Sequence, residues 1–295
     1  LNGKNELPRE SSKASKLAPI EPAPLSVGGL QGAIGVFDSG IGGLSVLQAL
    51  RAEMPQERFV YWADSDFAPY GERSEQFVIE RSHFITQQLI AQGPMKALVV
   101  ACNTASVVAL PALRAMTAIP VIGMEPAIKP AALATKTGVI GVLATQRTVD
   151  SAAVQRLIAT HAAHVRVVLQ ACPGLVERVE AGALDDAETM GLLRKYVAPI
   201  QDAGADQVVL GCTHYYFLRA SIERLLGPAV TVLEPAKAIA RQLGERSHLV
   251  PGLREGDAHG GFSFFSSATD LMAATTVMAR LWGIPIQPSV QRCPV

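Results

Sequence analysis

The sequence predicts an α/β protein built from two similar doubly wound domains, whose mainly parallel sheets face each other across a cleft. Short apolar runs alternate with longer amphipathic segments, a pattern typical of parallel strands joined by helical crossovers. Hydrophobic residues make up 49% of the 295 residues while aromatic residues make up 5%, as expected for strands that are apolar on both faces. This length allows one or two domains.

The first half of the chain predicts four strands and three helices. We expect a helix from Leu44 to about Glu53, a long helix capped by Ser74, and a short helix that begins near Thr104. The strands predicted here are 33–37, 58–63, 96–101 and 120–124.

The second half repeats the alternation, with helices beginning near Thr148 and spanning 268–281. Its predicted strands are 137–144, 165–170, 207–211, 229–233 and 262–266. The predicted divisions are a mobile polar tail (1–31), a first α/β domain (32–126 plus 235–282), a second α/β domain (127–234) and a C-terminal tail (283–295).

Charge and cysteine content exclude several classes of protein. Lys plus Arg equals Asp plus Glu at 26 each, so nothing in the charge favours nucleic acid or an anionic membrane as a partner. No segment reaches the roughly 18 to 20 apolar residues that a membrane span needs, and residues 1–31 lack a signal-peptide core. Four scattered cysteines form no disulfide framework, and free thiols fit a reducing, cytoplasmic location.

Five polar turns follow predicted strands, where open parallel sheets bind their ligands. They read "DSGIGG", "DSDFAPYGE", "CNTAS", "ATQRT" and "CTHYY". If the two halves face each other, all five converge on one cleft. The glycines of "DSGIGG" leave backbone N–H groups at a helix start, which suits an anion. Ser45 occupies the sixth position of the motif, so a dinucleotide fingerprint is a poor match.

Two thiols occupy equivalent places in the two halves. Cys102 and Cys212 each end an apolar strand and precede Asn or Thr, and His214 stands two residues after Cys212. A helix N-terminus favours the reactive thiolate, whereas a cysteine can also be a small buried hydrophobe. We assign that structural role to Cys172 and Cys293.

Zinc and serine hydrolysis are disfavoured, and we predict no metal. The chain has no C-x2-C pair, and Cys212 and His214 are spaced poorly for chelation. A G-x-S-x-G motif is also absent.

Five motifs in order resemble one known family: "IGVFDSGIGGLSV", "PYGERS", "VVACNTAS", "PVIGMEPAIKPA" and "LGCTHYYFL". The chain resembles the cofactor-independent, two-cysteine Asp/Glu racemases, and glutamate racemases in particular, from Ile34 to the 230s. The resemblance implies interconversion of L- and D-glutamate without a cofactor, supplying D-glutamate for peptidoglycan. It implies that Cys102 deprotonates D-glutamate and Cys212 deprotonates L-glutamate. Inversion needs a base and an acid on opposite sides of one carbon, which two such thiols provide.

The resemblance also assigns supporting residues. Asp38 would assist Cys102, His214 would assist Cys212, and Glu180 would be a carboxylate near the site. Hydroxyls, an amide and backbone N–H groups would hold the substrate carboxylates, since neutral donors need not favour the ground state. The substrate-binding residues implied are Ser39, Pro69, Tyr70, Gly71, Asn103, Thr104, Thr145, Thr148 and Thr213.

Some features resemble the Gram-negative subgroup of that family. "LPALR" and "PAIKPAA" are typical of it, and the resemblance implies UDP-N-acetylmuramoyl-L-alanine as an activator, with Arg114 and Lys129 in the corresponding zone. Tyr216 stands where the family often has proline. The sequence leaves open a monomer or a homodimer.

Other functions remain as alternatives. An aspartate racemase would share the two-thiol logic, although "PYG" and "CTHY" favour glutamate. A thiol hydrolase would use Cys212 with His214 and leave Cys102 unexplained. A non-catalytic protein that binds acidic amino acids is a third class. A pyridoxal enzyme is disfavoured because no lysine lies in these turns.

Overall fold

The computed structural model describes residues 32–247, 260–283, 286 and 291–292. The predicted tail 1–31 and Cys293 lie outside the described residues. Ten strands are described: β1 (Ala33–Asp38), β2 (Phe59–Ala63), β3 (Met95–Val100), β4 (Val121–Gly123), β5 (Val139–Ala144), β6 (Arg166–Ala171), β7 (Gln207–Gly211), β8 (Thr231–Leu233), β9 (Phe262–Ser266) and β10 (Gln291–Arg292).

Eleven α-helices connect or cover these strands in the described part of the chain: α1 (Leu44–Glu53), α2 (Glu75–Ala91), α3 (Asn103–Met116), α4 (Ile128–Ala134), α5 (Gln146–Asp150), α6 (Ala152–His161), α7 (Leu175–Glu180), α8 (Ala187–Asp202), α9 (Arg219–Leu226), α10 (Ala236–Ser247) and α11 (Leu271–Trp282). Three 3-10 helices span Ser65–Phe67, Tyr70–Glu72 and Thr213–Leu218.

The strands form two parallel sheets with the same central order. The first sheet runs β10-β9-β2-β1-β3-β4 and the second β6-β5-β7-β8, and every described strand pair is parallel. In each sheet the second strand flanks the first, and the third and fourth follow on its other side. The predicted fold class, with two similar α/β units, is therefore confirmed. The predicted residue ranges of the domains stay a prediction.

Helix α3 is longer than the sequence pattern suggested. A short helix near Thr104 was expected, but α3 runs for 14 residues and contains Pro111. Ala105, Ala109 and Leu113 recur every four residues and are all buried, so packing of that face outweighs the hydrogen bond that proline removes. The predicted cap of α2 is confirmed, since Ser74 Oγ accepts from the backbone N–H of Phe77.

One apolar core joins the two sheets. It contains Ile34 and Val36 of β1 together with Val208 and Leu210 of β7, and Tyr215 lies fully buried among them. Burying each such large side chain stabilises the fold by about 1.5 to 3 kcal/mol. This shared core brings the carboxyl ends of both sheets to one place. Among the described residues, no helix is both long and apolar enough to cross a membrane.

Candidate active site

A cavity lies where the carboxyl ends of the two sheets meet. Its empty volume is about 250 Å³, including the open mouth. Strand ends and helix starts from both sheets contribute to its wall. The residues that line it are Ser39, Pro69, Tyr70, Gly71, Cys102, Asn103, Thr104, Thr145, Val176, Cys212, Thr213 and His214. Eleven of these twelve were expected from the sequence.

Val176 is the lining residue that the sequence analysis missed. It lies on α7 and is 5% exposed. An apolar residue on an amphipathic helix carries no chemical signal, and only the tertiary structure brings it to the cavity.

Cys102 is the N-cap of α3 and is buried. Its Sγ accepts the backbone N–H of Ala105 at 3.4 Å and lies 3.6 Å from Ser39 Oγ. Burial first, and then the charge of Asp38, raise the pKa of the Cys102 thiol well above its usual range. The thiol form is therefore favoured here in the absence of a proton acceptor.

Asp38 ends β1 directly beside Cys102 and has no exposed surface. Its Oδ2 accepts the backbone N–H of Gly43 at 2.7 Å, whereas its Oδ1 is buried without a hydrogen-bond partner among the described residues. Burial raises the pKa of Asp38 from 3.8 to about 6, against the opposing effects of His214 and Gly43. At neutral pH this carboxylate is ionised yet basic enough to accept a proton.

Cys212 has a cationic partner instead. Its Sγ lies 3.8 Å from Nδ1 of His214, and the imidazole is 1% exposed. Burial lowers the pKa of His214, but hydrogen bonds to Cys212 and Glu180 and the charge of Asp38 outweigh it and hold that pKa well above its usual value. An imidazolium beside a thiol favours the thiolate form of that thiol.

Glu180 completes this arrangement from α7. Its Oε1 accepts His214 Nε2 at 2.7 Å and the backbone N–H of Ile41 at 2.7 Å. Glu180 does not line the cavity and contacts the lining through His214. One carboxylate therefore links the histidine of the second sheet to the turn that follows β1.

Glycines allow the turn that follows β1 to approach Glu180 and His214 closely. A Cβ at Gly40 would lie 1.9 Å from Glu180 Oε1, and a Cβ at Gly42 would lie 2.3 Å from His214 Nδ1. No side chain fits at either position without displacing these groups. The glycines at positions 40 and 42 of "DSGIGG" are thus required for the close approach of this turn to Glu180 and His214.

Threonine hydroxyls join the two halves across the cavity. Thr104 Oγ1 lies 2.9 Å from Thr145 Oγ1, which in turn lies 3.0 Å from Thr148 Oγ1. Thr148 is fully buried behind Thr145 and does not itself line the cavity. Asn103 is 3% exposed, and neither polar atom of its amide has a hydrogen-bond partner within the described chain. These groups can bind carboxylate or ammonium groups.

The remaining predicted residues lie elsewhere. Arg114 is exposed near the end of α3 and donates from Nε and Nη2 to the carbonyl of Val121, and Lys129 is exposed on α4. Neither lines the cavity. Cys172 is buried outside its lining, with Sγ 3.4 Å from the carbonyl of Gln170. Within the described ranges, no group of three or more His, Cys, Asp or Glu side chains could hold a metal ion.

Comparison with known proteins gives a consistent result. Residues 44–243 match the family model described as Asp/Glu/hydantoin racemase. A glutamate racemase of Stutzerimonas stutzeri is 46% identical over 254 residues, covering 85% of this chain and 94% of that protein. One from Herpetosiphon aurantiacus is 53% identical over 209 residues, covering 71% and 82%.

A solved structure is similar in fold. The crystal structure of Escherichia coli glutamate racemase in complex with L-glutamate and the activator UDP-MurNAc-ala superimposes with a TM-score of 0.77 at 31% identity. That match covers 90% of this chain and 99% of that one.

Proposed function

Because the chain belongs to the Asp/Glu/hydantoin racemase family, we propose that it interconverts L- and D-glutamate by proton transfer between its two thiols and Cα of the substrate. One observation carries the mechanism: Cys102 and Cys212 line the same cavity from different sheets. A thiolate on one side removes the Cα proton, and a thiol on the other side donates a proton to the opposite face.

The two thiols have opposite electrostatic surroundings, which supports a division of labour. Cationic His214 lies beside Cys212, whereas the carboxylate of Asp38 favours the thiol form of Cys102. Cys212 is therefore ready to take the proton of L-glutamate while Cys102 donates. In the reverse direction Asp38 accepts the Cys102 proton and the His214 imidazolium returns a proton to Cys212, so that the Cys102 thiolate removes the Cα proton of D-glutamate while the Cys212 thiol donates a proton to the opposite face. In either direction one proton leaves Cα and one is delivered to it, and the enzyme holds one thiol and one thiolate before and after.

The substrate is a dianion with an ammonium group, yet none of the described residues that line the cavity is lysine or arginine. Ser39, Thr104, Thr145 and Thr213 offer hydroxyls, and Asn103 offers an unpaired amide. Neutral donors can stabilise the carboxylate as negative charge spreads onto it in the transition state. The similarity to glutamate racemases favours glutamate over aspartate as the substrate. The D-glutamate formed serves peptidoglycan synthesis. Free thiols support a cytoplasmic location.

We further propose regulation by a cell-wall precursor. The E. coli relative was crystallised with UDP-MurNAc-ala as its activator, and Arg114 and Lys129 are exposed cations that can bind a diphosphate. Turnover measured with and without UDP-N-acetylmuramoyl-L-alanine tests this. An unchanged rate contradicts it.

The function itself is tested with D- and L-glutamate incubated separately in D2O. We expect deuterium at Cα and inversion from either enantiomer, with aspartate much slower under the same conditions. Cys102→Ala and Cys212→Ala should each lose racemisation. Cys172→Ala, which removes a buried thiol outside the cavity lining, is the matched control and should retain it. Absence of both inversion and exchange in the unmodified enzyme would refute the proposal, and a Cys102→Ala enzyme that still hydrolysed a substrate would favour a thiol hydrolase.

A further inference from the structure

A buried carboxylate lies directly behind the cavity wall. Asp64 follows β2, has no exposed surface, and accepts the phenolic O–H of Tyr70 at 2.6 Å. Tyr70 lines the cavity together with Cys102. A negative charge one side chain away from a site for a dianion should repel the ligand, so this placement needs an explanation.

Arg81 of α2 supplies the opposite charge. Its Nη2 lies 2.6 Å from Asp64 Oδ1 and its Nε lies 3.0 Å from Asp64 Oδ2, a two-point contact that only an arginine makes. The guanidinium also lies 3.8 Å from the centre of the Phe67 ring and 4.8 Å from that of Phe84. Burial lowers the pKa of Arg81, but its hydrogen bonds with Asp64 outweigh this and raise that pKa. The guanidinium is therefore held as a cation in direct contact with the Asp64 carboxyl group.

The loop that carries Tyr70 does not depend on this pair alone. Asp66, in the same loop, donates its N–H to Ser267 Oγ at 3.1 Å and accepts the N–H of Thr269 at 2.8 Å. These contacts attach the loop to the segment after β9. The ion pair lies behind Tyr70, one of the loop residues that line the cavity, while Asp66 attaches the loop independently of the pair.

We propose that Arg81 is a positioning residue for substrate binding: by neutralising Asp64 it lets Asp64 orient the Tyr70 hydroxyl without repelling the dianionic substrate. This inference rests on the proposed function. It assigns a role to two residues outside the cavity. Asp64 supplies the hydrogen bond that fixes the ring, and Arg81 removes the electrostatic penalty of having a carboxylate there.

The test compares two substitutions that break the same ion pair and leave opposite charges. Arg81→Gln leaves Asp64 negative. We expect KM for both glutamate enantiomers to rise on the order of tenfold at about pH 8. Repulsion between Asp64 and a substrate charge roughly 10 Å away has this size at intermediate dielectric. Asp64→Asn retains an oxygen acceptor for Tyr70 and leaves Arg81 positive, so KM should be at or below the wild-type value. In both, kcat should change much less than KM.

The double variant D64N/R81Q separates charge from structure. Its neutral pair should restore KM to within about threefold of wild type, because no net charge remains behind the wall. The matched control is Lys96→Gln, which breaks the partly buried Lys96–Glu57 pair at the opposite end of the same sheet. Seven residues of extended chain, or roughly 20 Å, separate Glu57 from Asp64 along β2. Lys96→Gln should lower stability and leave KM unchanged.

Two outcomes overturn the inference. The first is an equal rise of KM in Arg81→Gln and Asp64→Asn, which identifies the pair as structural only. The second is a Lys96→Gln effect on KM as large as that of Arg81→Gln. If Arg81→Gln does not fold, Asp64→Asn and the double variant still decide: a tenfold rise of KM in either contradicts the proposal. Racemisation by the wild-type enzyme in the same assay keeps the proposed function separate from this result.

Discussion

The imidazole Nε2 of His214 lies 2.7 Å from Oε1 of Glu180, although the two residues belong to different elements of the second half. The same oxygen accepts the backbone N–H of Ile41. Glu180 thereby couples the orientation and charge of the Cys212 partner to the turn that carries Asp38. The charge and the hydrogen bonds of Glu180 can be separated experimentally.

Glu180→Gln retains an oxygen that can accept both hydrogen bonds but lacks the negative charge. A neutral amide accepts a weaker hydrogen bond from the imidazolium than a carboxylate does, so one cause of the raised His214 pKa is weakened. The imidazolium fraction then falls, and kcat/KM should fall on the order of tenfold. Glu177→Gln, on the same helix and exposed, is the control and should behave as wild type.

Isotope effects measure which of the two proton transfers is slowed by Glu180→Gln. Enantiomers have equal free energy, so kcat/KM must fall equally from both sides. In the proposed mechanism the proton of L-glutamate goes to Cys212, so the Cα-deuterium isotope effect on kcat/KM should rise for L-glutamate and should rise less for D-glutamate. Equal isotope effects from both enantiomers would argue against Glu180 acting through Cys212.

Asp38→Asn should raise the stability of the protein and lower its activity. A carboxyl whose pKa is raised from 3.8 to about 6 in the folded state contributes stability below pH 3.8 that is lost as the pH rises through 6. Each unit of difference between the folded and unfolded pKa corresponds to about 1.4 kcal/mol. Ionised Asp38 therefore lowers the free energy of unfolding by about 3 kcal/mol at pH 8. Asparagine removes that penalty and also removes the proton acceptor for Cys102.

We therefore expect Asp38→Asn to be more stable than wild type at about pH 8, with a gain that stays constant down to about pH 6 and shrinks as the pH falls from there towards 3.8. Its kcat should fall on the order of 100-fold or more. Urea unfolding at several pH values measures the first effect and steady-state kinetics the second. A stability difference that does not vary with pH would disprove the assigned titration of Asp38.

Gly42→Ala should displace the histidine. Its Cβ would overlap His214 Nδ1, so the imidazole must move away from Cys212, and kcat should fall on the order of 100-fold with about 1 to 3 kcal/mol lost in stability. Gly191→Ala is the matched control: this glycine lies within α8 and a Cβ there meets nothing within 4 Å. Gly191→Ala should stabilise the protein by about 0.5 to 1 kcal/mol at unchanged activity.

Thr145→Ala should affect both a helix cap and the cavity. Thr145 caps α5 through the N–H of Thr148 and also contacts Thr104 Oγ1. Ser151 caps the next helix, α6, without lining the cavity. Each alanine variant should lose about 1 kcal/mol of stability. Only Thr145→Ala should also raise KM for glutamate, by several-fold; a similar rise in Ser151→Ala would show that the effect is not local.

Much of the site could be predicted because its signals are local. An apolar run followed by Cys and a polar turn identifies the end of a strand and the start of a helix, and in parallel sheets such ends share one edge. Cys102 and Cys212 were found this way, and their neighbours Asn103, Thr213 and His214 with them. The length of α3 was misjudged, since the pattern around Pro111 is weaker than the packing of its buried face.

Contacts between distant residues could not be predicted in this way. Glu180 and Ile41 are 139 positions apart, and the pairing of Asp64 with Arg81 or the placement of Val176 in the cavity wall has no periodic or motif signal. The sequence by itself determined a parallel α/β fold and two thiols at equivalent strand ends, because periodicity and strand–turn chemistry are properties of adjacent residues. The resemblance already implied that Asp38 assists Cys102 and His214 assists Cys212, but only the tertiary structure decided their charges, a basic carboxylate and an imidazolium, because burial and distance, which determine charge, arise from packing across the whole chain.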